Sequence, residues 1–403
     1  MPKALEGLKV LDLTQFEAGP SCTEYLAFLG ADVVKIEPPG KGEPGRKAGL
    51  SKAEREKGYH DSWYFILLNA SKRGITLNLK SKKGTAIFKA MVKKADVVVS
   101  NFLPGTMDKL GIGYDVLRNI HPGLVYAENS GFGTGGPYSA YPCFDAIAKA
   151  AGSAFSNTGM ANGPPLNPGP SIGDTGAGVH MAVAILAALR YRDMTGEGQQ
   201  IDMAMADNII NLNRIFFRRP LDFGEPQPRA GGGSAGSCPW DTFRCKGDKP
   251  NDYIFIGAPM AHQYEALMKQ VGREDLVEGL KDDGEARWQK RAVIKEAIET
   301  WTKTKDKMEA FHTLAKAGIP TGPVLDTLEV LNDPHFIQRG MVLEMHHQER
   351  GRHKMLGCPV HMSRSTPEYT PAPSLGQHNE EVYTEWMEYT KEDVARLQAE
   401  QVI

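Results

Sequence analysis

No run of about 20 uninterrupted apolar residues, the length a membrane-spanning helix requires, occurs in the 403-residue chain. Cysteine is scarce. Its five residues (Cys22, Cys143, Cys238, Cys245 and Cys358) are scattered, odd in number and without a C-x-x-C pair. That argues against a disulfide framework and a structural zinc site, and fits a reducing compartment. An excess of either charge is also missing: 47 Lys and Arg face 49 Asp and Glu, for a net charge of −2. Nothing electrostatic therefore points to nucleic acid or an anionic membrane as partner. The opening MPKALEGLKVLDLT has neither the apolar run nor the small-residue cleavage site of a signal peptide, so the cytoplasm is the expected location. His346-His347 lacks carboxylate or cysteine companions at ligand spacing, and no metal is expected.

What is present is ordinary globular material, with 41% hydrophobic and 24% charged residues. The length implies two domains. Short strand-like runs at Val10–Leu13, Val33–Glu37, Ile75–Leu79, Val97–Val99 and Leu124–Ala127 alternate with helical patterns, one reaching to about Leu29 and another over Thr85–Lys93. Such alternation predicts an α/β fold, a doubly wound, mostly parallel sheet with helices on both faces. Ligands in that architecture sit at the carboxyl ends of strands. The strongest helical pattern runs from Thr175 to Arg192, with Val179, Val183 and Leu186 on one face and Ala182, Ile185 and Leu189 widening the stripe. Glycine and proline then concentrate at Gly224–Gly236. Residues 1–223 are expected to form the first part of a large domain. Residues 224–324 would form a linker and small domain, and residues 325–403 would return to the large one.

Three short motifs compete for the chemistry. Gly131–Gly136 satisfies G-x-G-x-x-G, but Pro137-Tyr138-Ser139-Ala140-Tyr141-Pro142 follows, which is loop sequence where a dinucleotide site needs a helix. Gly232-Gly233-Ser234-Ala235-Gly236 matches the G-x-S-x-G elbow of serine hydrolases. The preceding Glu225-Pro226-Gln227-Pro228 cannot be the buried strand that elbow requires. The third is Ser171-Ile172-Gly173-Asp174-Thr175-Gly176. Asp174 stands where the long helix begins, and as a helix N-cap it would accept amide hydrogens. Its small neighbours Gly173, Gly176, Ala177 and Gly178 also leave the carboxylate open to a bulky electrophile.

Leu8-Lys9-Val10-Leu11-Asp12-Leu13-Thr14, Ala18-Gly19-Pro20 and Leu29-Gly30-Ala31-Asp32-Val33-Val34-Lys35-Ile36-Glu37 together resemble the start of family III CoA-transferases of the formyl-CoA transferase type. The resemblance continues at Ser71-Lys72-Arg73-Gly74-Ile75, Asn101-Phe102-Leu103-Pro104-Gly105 and Gly173-Asp174. It resumes at Ala317-Gly318-Ile319-Pro320-Thr321-Gly322-Pro323-Val324, Asp333-Pro334 and Leu375-Gly376-Gln377-His378. No single piece is diagnostic; the ordered set is specific. It implies a Rossmann-like large domain built from both chain ends, a smaller middle domain and an interlocked dimer. That dimer is expected to be a homodimer, with a heteromer containing a related subunit as the alternative. It implies CoA thioesters as substrates rather than a permanently bound cofactor, a carboxylic acid as acceptor, and Asp174 as the residue that carries the acyl group.

The same resemblance places Asn101 and Phe102 near the CoA. Lys72, Arg73 and Lys109, with Arg46 as a weaker candidate, are basic side chains available for its phosphates. Residues 231–237 match a glycine-rich flap in position. Glu17, Ala48, Phe144, Asp145 and Gly236 make the expected substrate pocket. Oxalate-using relatives carry glutamine, tryptophan and tyrosine at the positions of Glu17, Ala48 and Phe144, so the departures predict an acceptor larger than oxalate. An oxalate-type transferase or an acyl-CoA racemase of the same fold, a serine hydrolase and a non-catalytic partner subunit are the alternatives.

Overall fold

The computed structural model describes residues 2–233 and 237–403. The chain divides into two compact units. One comprises Met1–Phe155, Asn167–Glu225 and Ile337–Ile403; the other comprises Ser156–Leu166 and Pro226–Phe336. Both chain ends thus lie in the first unit, and the middle unit also takes in the segment 156–166.

The first unit is organised by six parallel strands: β1 (Lys9–Asp12), β2 (Asp32–Glu37), β3 (Arg73–Thr76), β4 (Val97–Ser100), β5 (Val125–Ser130) and β6 (Gln200–Ala204). Their order is β3-β2-β1-β4-β5-β6, every pair parallel. Successive strand residues point to opposite faces, and both faces are covered. Leu11, Val34 and Val98 pack on one side with Phe88, Met91 and Trp386. Val10, Val33, Val97 and Val125 pack on the other with Met181 and Ile185. This double burial explains why the strands read as nearly unbroken apolar runs. β3 begins two residues before the expected Ile75. β6 was not expected at all: an edge strand in which Gln200 and Asp202 alternate with Ile201 and Met203 is too polar to stand out from sequence.

Helices α1 (Ala18–Phe28), α2 (Lys82–Val92), α3 (Asp145–Ala151) and α4 (Asp174–Thr195) follow in chain order. α4 buries Ala177, Gly178, Met181, Ala182, Ile185, Ala188 and Leu189. The expected apolar stripe is therefore rotated: Ala182, Ile185 and Leu189 are its centre, while Val179 and Val183 are 40% and 61% exposed. The rotation follows from how closely α4 approaches α1. A Cβ on Gly178 would lie 2.7 Å from the Ala18 carbonyl oxygen and 2.9 Å from the Cys22 nitrogen, so the small residues must face that neighbour. A helix near the C-terminus, α5 (Asn379–Met387), closes the open edge at β3. There the His378 amide donates to the Gly74 oxygen at 2.9 Å, the Thr76 amide donates to Asn379 Oδ1 at 2.8 Å and the Tyr383 hydroxyl donates to the Thr76 oxygen at 2.8 Å. Pairing an edge in this way removes a template for association.

The middle unit has its own antiparallel sheet of β7 (Trp240–Arg244), β8 (Tyr253–Gly257) and β9 (Thr321–Pro323). Its core gathers around Phe243, Ile254, Ile256, Tyr264 and Leu267. An antiparallel ribbon, β10 (Val342–His347) with β11 (Gly351–Leu356), belongs to the first unit.

Candidate active site

The strand order reverses between β1 and β4, so the loops leaving their carboxyl ends diverge and open a crevice. A cavity of about 460 Å³ lies there. It is lined by Gln15, Phe16 and Glu17 after β1, by Asn101 to Pro104 after β4, by Asn129, Tyr141 and Phe144 on and after β5, and by Asp174. The glycine-rich 131–136 segment runs into bends and turns, and the next helix begins only at Asp145. The helix start that a dinucleotide site needs is therefore not there.

Asp174 is the first residue of α4, and Gly173, not Asp174, occupies the N-cap. Among the described residues no hydrogen bond reaches its carboxylate. Its backbone is held instead by Asp145, whose Oδ1 accepts from the Gly173 amide at 2.8 Å and from the Asp174 amide at 3.3 Å. Asp145 Oδ2 lies 2.6 Å from Lys149 Nζ. That buried ammonium also donates to the Pro168 and Pro170 carbonyl oxygens at 2.8 and 3.1 Å. Glu17 comes in from the β1 loop. Its Oε1 accepts from the Thr175 hydroxyl at 2.8 Å, and its Oε2 accepts from the Tyr64 hydroxyl at 3.4 Å.

Two opposed influences meet at Asp174. A helix start favours negative charge. Burial first, then the neighbouring Glu17 and Asp145 carboxylates, push its pKa up to about 7, against the opposing pull of Lys149. A carboxyl group raised by burial and by like charges, and set in a crevice, is a candidate functional group.

The basic candidates are not brought together. Arg46 is buried and committed to Glu37 at 2.7 Å, Asp61 at 2.5 Å and the Pro373 carbonyl at 3.0 Å. Lys72 is equally buried, donating to Asp12 at 3.1 Å, Asn69 at 2.9 Å and the Pro20 oxygen at 3.0 Å. Burial alone would raise the Asp12 pKa, but Lys72, Lys35 and the Thr14 and Thr23 hydroxyls outweigh it and hold it near about 2. These two cations are internal ion pairs with no donor turned outward for a phosphate. Arg73 is enclosed by three carboxylates, Asp32, Glu381 and Glu385, a setting that disfavours an anionic ligand. Lys109 is exposed at the end of a short helix in the β4 loop.

Asn101 and Phe102 both line the cavity, Asn101 while clamping Gln15 in both directions, at 2.8 and 2.7 Å. Phe144 is 65% exposed and meets Phe16 edge-on at 6.4 Å. Ala48 is half-buried and lies outside the cavity lining, so its small side chain does not enlarge that cavity. Gly236 lies outside the described residues, as do Ser234 and Ala235 of the elbow-like motif. Glu225 to Ala230 before that motif contains no strand. Among the described residues no cluster of His, Cys, Asp and Glu could hold a metal, and no helix is long and apolar enough to cross a membrane.

Sequence reasoning missed Lys149, Tyr64, Phe16 and Asn129. Lys149 follows Asp145 at i+4, a helical ion-pair spacing that could have signalled it. Asn129 is buried with neither side-chain polar atom partnered among the described residues. The middle unit contains a second cavity of about 470 Å³, bounded in part by Trp240, Trp288, Arg291 and Lys295. Its one carboxylate, Asp241, is paired with Lys295 at 2.7 Å. A carboxylate without a hydrogen-bond partner among the described residues, its pKa raised by burial and like charges, distinguishes the Asp174 cavity as the candidate for catalysis.

Comparison with known proteins shows the family to which the chain is similar. A formyl-CoA:oxalate CoA-transferase of Streptomyces coelicolor is 40% identical, covering all of this chain and 99% of that protein. One from Rhodopseudomonas palustris is 36% identical over 98% and 96% of the two chains. A solved CaiB/BaiF family protein from Brucella suis superposes with a TM-score of 0.84 at 30% identity, covering 96% of this chain and 100% of the other. A hypothetical protein from Mycobacterium tuberculosis gives 0.78 at 29% identity, covering 94% and 98%. The sequence profile of CoA-transferase family III matches residues 5–379, a span that contains every residue of the cavity, and the chain belongs to that family of transferases.

Proposed function

We propose that the enzyme moves CoA from an acyl-CoA to a carboxylic acid through covalent intermediates on Asp174. The Asp174 carboxylate attacks the donor thioester, forming a mixed anhydride and expelling CoA thiolate. The thiolate attacks the aspartyl carbonyl, releasing the donor acid and leaving an aspartyl-CoA thioester. The acceptor carboxylate then displaces the thiolate as a second anhydride forms. Attack of the thiolate on the acceptor acyl carbon yields the new acyl-CoA and frees Asp174. A carboxylate is a weak nucleophile, but this route divides one hard acyl transfer into several nearly balanced exchanges. The observation that carries the reading is the Asp174 carboxylate itself, without a hydrogen-bond partner among the described residues and facing a cavity at the switch point of the sheet. Incubation with an acyl-CoA followed by hydroxylamine should modify the peptide containing Asp174. Full transferase activity in Asp174→Ala would refute the assignment.

The acceptor we propose is larger than oxalate, an aryl-substituted succinate or an arylpropanoate, with a succinyl-type or other acyl-CoA as donor. Phe16 and Phe144 give the cavity an aromatic rim. Glu17 sets a second carboxylate beside Asp174, which disfavours the far charge of a compact diacid. Formyl-CoA:oxalate exchange is the second reading, favoured by the names of relatives 36 to 40% identical over nearly the whole chain. Kinetic comparison decides between them: a higher kcat/KM for oxalate with formyl-CoA than for aryl acids selects the second.

A dimer in the cytoplasm, a homodimer or a heteromer with a related subunit, belongs to the same proposal. Val183, Leu221 and Phe223 are 61%, 84% and 69% exposed, apolar side chains that a partner subunit would cover. The five cysteines are free thiols, as a reducing milieu requires.

A further inference from the structure

We propose that Glu43 is a positioning residue of this active site, a buried carboxylate that holds Phe16 in a left-handed turn and so aims Glu17 at the surroundings of Asp174. The inference rests on Asp174 as the reacting carboxylate.

Phe16 adopts φ of +59°, a conformation that a bulky side chain keeps only where its surroundings over-determine it. The surroundings here are unusually complete. The Thr14 amide donates to Asp12 Oδ1 at 2.8 Å, and the Thr14 carbonyl accepts from Lys35 Nζ at 2.9 Å. Gln15 is clamped by Asn101. The Phe16 amide donates to Glu43 Oε2 at 3.1 Å. Of these groups, Glu43 alone holds the residue that carries the strain.

Glu43 is itself fixed. It is 2% exposed, its Oε2 also accepts from the Gly45 amide at 2.6 Å, and its own amide donates to Glu37 Oε2 at 2.9 Å. Its Oε1 has no hydrogen-bond partner among the described residues and lies 3.6 Å from Lys35 Nζ. A buried carboxylate so placed carries a desolvation cost, and what it does in return is hold the β1 loop. Immediately after Phe16 the chain starts α1, and the Glu17 side chain turns to Thr175, the neighbour of Asp174. Without Glu43, Phe16 is free to relax to negative φ, which swings Glu17 away.

The groups that act on Asp174 are Glu17 from the β1 loop, Asp145 and Lys149 from α3, Tyr64 from the short helix Trp63–Ile66, and Cys143 before α3. Only Glu17 depends on Phe16 for its placement. The test follows the 13Cγ titration of Asp174 in resting enzyme, alongside kcat and KM, in Glu43→Ala, Glu17→Gln and the double variant. Glu43→Ala is expected to lower the Asp174 midpoint toward the ordinary aspartate range, as Glu17→Gln does, with no further shift in the double variant. It should lower kcat by up to about a hundredfold, the scale of a small misplacement of reacting groups, while KM changes little. Glu43→Gln, which keeps an oxygen for the two amides, should restore the midpoint.

Gly45→Ala supplies a second perturbation if Glu43→Ala fails to fold. Its new Cβ would stand 2.7 Å from Glu43 Oε2, displacing the carboxylate without deleting it, and the same fall in midpoint is expected. An unchanged midpoint in variants that fold, or additive shifts in the double variant, would overturn the proposal. The titration needs no turnover, so it stands apart from an active Asp174→Ala, which would overturn the catalytic assignment instead.

Discussion

Replacing Asp174 by asparagine should make the protein more stable and inactive, and the gain should depend on pH. The Asp174 pKa rises from an ordinary 3.8 to about 7 in the folded protein. Below pH 3.8 the folded and unfolded chains both carry the proton, and the group is neutral toward stability. Between 3.8 and about 7 the folded state keeps a proton that the unfolded chain has lost, so stability falls as pH rises. Above about 7 both are ionised and the cost is complete. Each pKa unit is worth about 1.36 kcal/mol, which puts the full cost near about 4 kcal/mol. Contact with cavity water reduces it, so about 2 to 4 kcal/mol is expected. Asparagine has nearly the same shape and no charge. Urea unfolding of both proteins at pH 4.5 and pH 8 measures the difference, which should be small at the lower pH and largest at the higher. Equal stability at pH 8, or a gain that does not change with pH, would refute the argument that burial and two carboxylates strain this group.

Gly178→Ala drives a methyl group into the α1 backbone at the Ala18 oxygen and Cys22 nitrogen; overpacking of this kind costs about 1 to 3 kcal/mol, and an unchanged Tm would contradict the close approach of α1 and α4. Arg46→Ala and Lys109→Ala should separate two kinds of cation. The first deprives the buried Glu37 and Asp61 of their guanidinium partner and should cost about 3 to 5 kcal/mol of stability. The second should leave stability within about 0.5 kcal/mol and raise KM for the acyl-CoA; a KM identical to wild type would remove Lys109 from the phosphate site.

Local pattern alone carried much of this protein. Apolar runs located β1, β2, β4 and β5 because strands buried on both faces are mostly apolar, with few polar residues such as Lys35 among them. The α4 helix and its glycine stop at Gly196, which is left-handed with φ of +79°, were legible for the same local reason. Small residues around Asp174 marked an open carboxylate. What the sequence could not supply was partnership. Arg46, Lys72 and Lys109 are equivalent letters in a chain, and only folding commits the first two to buried carboxylates while leaving the third in solvent. The phase of α4 was misread because Val179 and Val183 outrank Gly178 in hydrophobicity, whereas the buried face is set by how near α1 can come. The raised pKa of Asp174 likewise has no local signature. It arises from a glutamate 157 positions earlier, hydrogen-bonded to the Thr175 hydroxyl at a sequence separation of 158, and an aspartate 29 positions earlier. The sheet brings them together because its order reverses between β1 and β4.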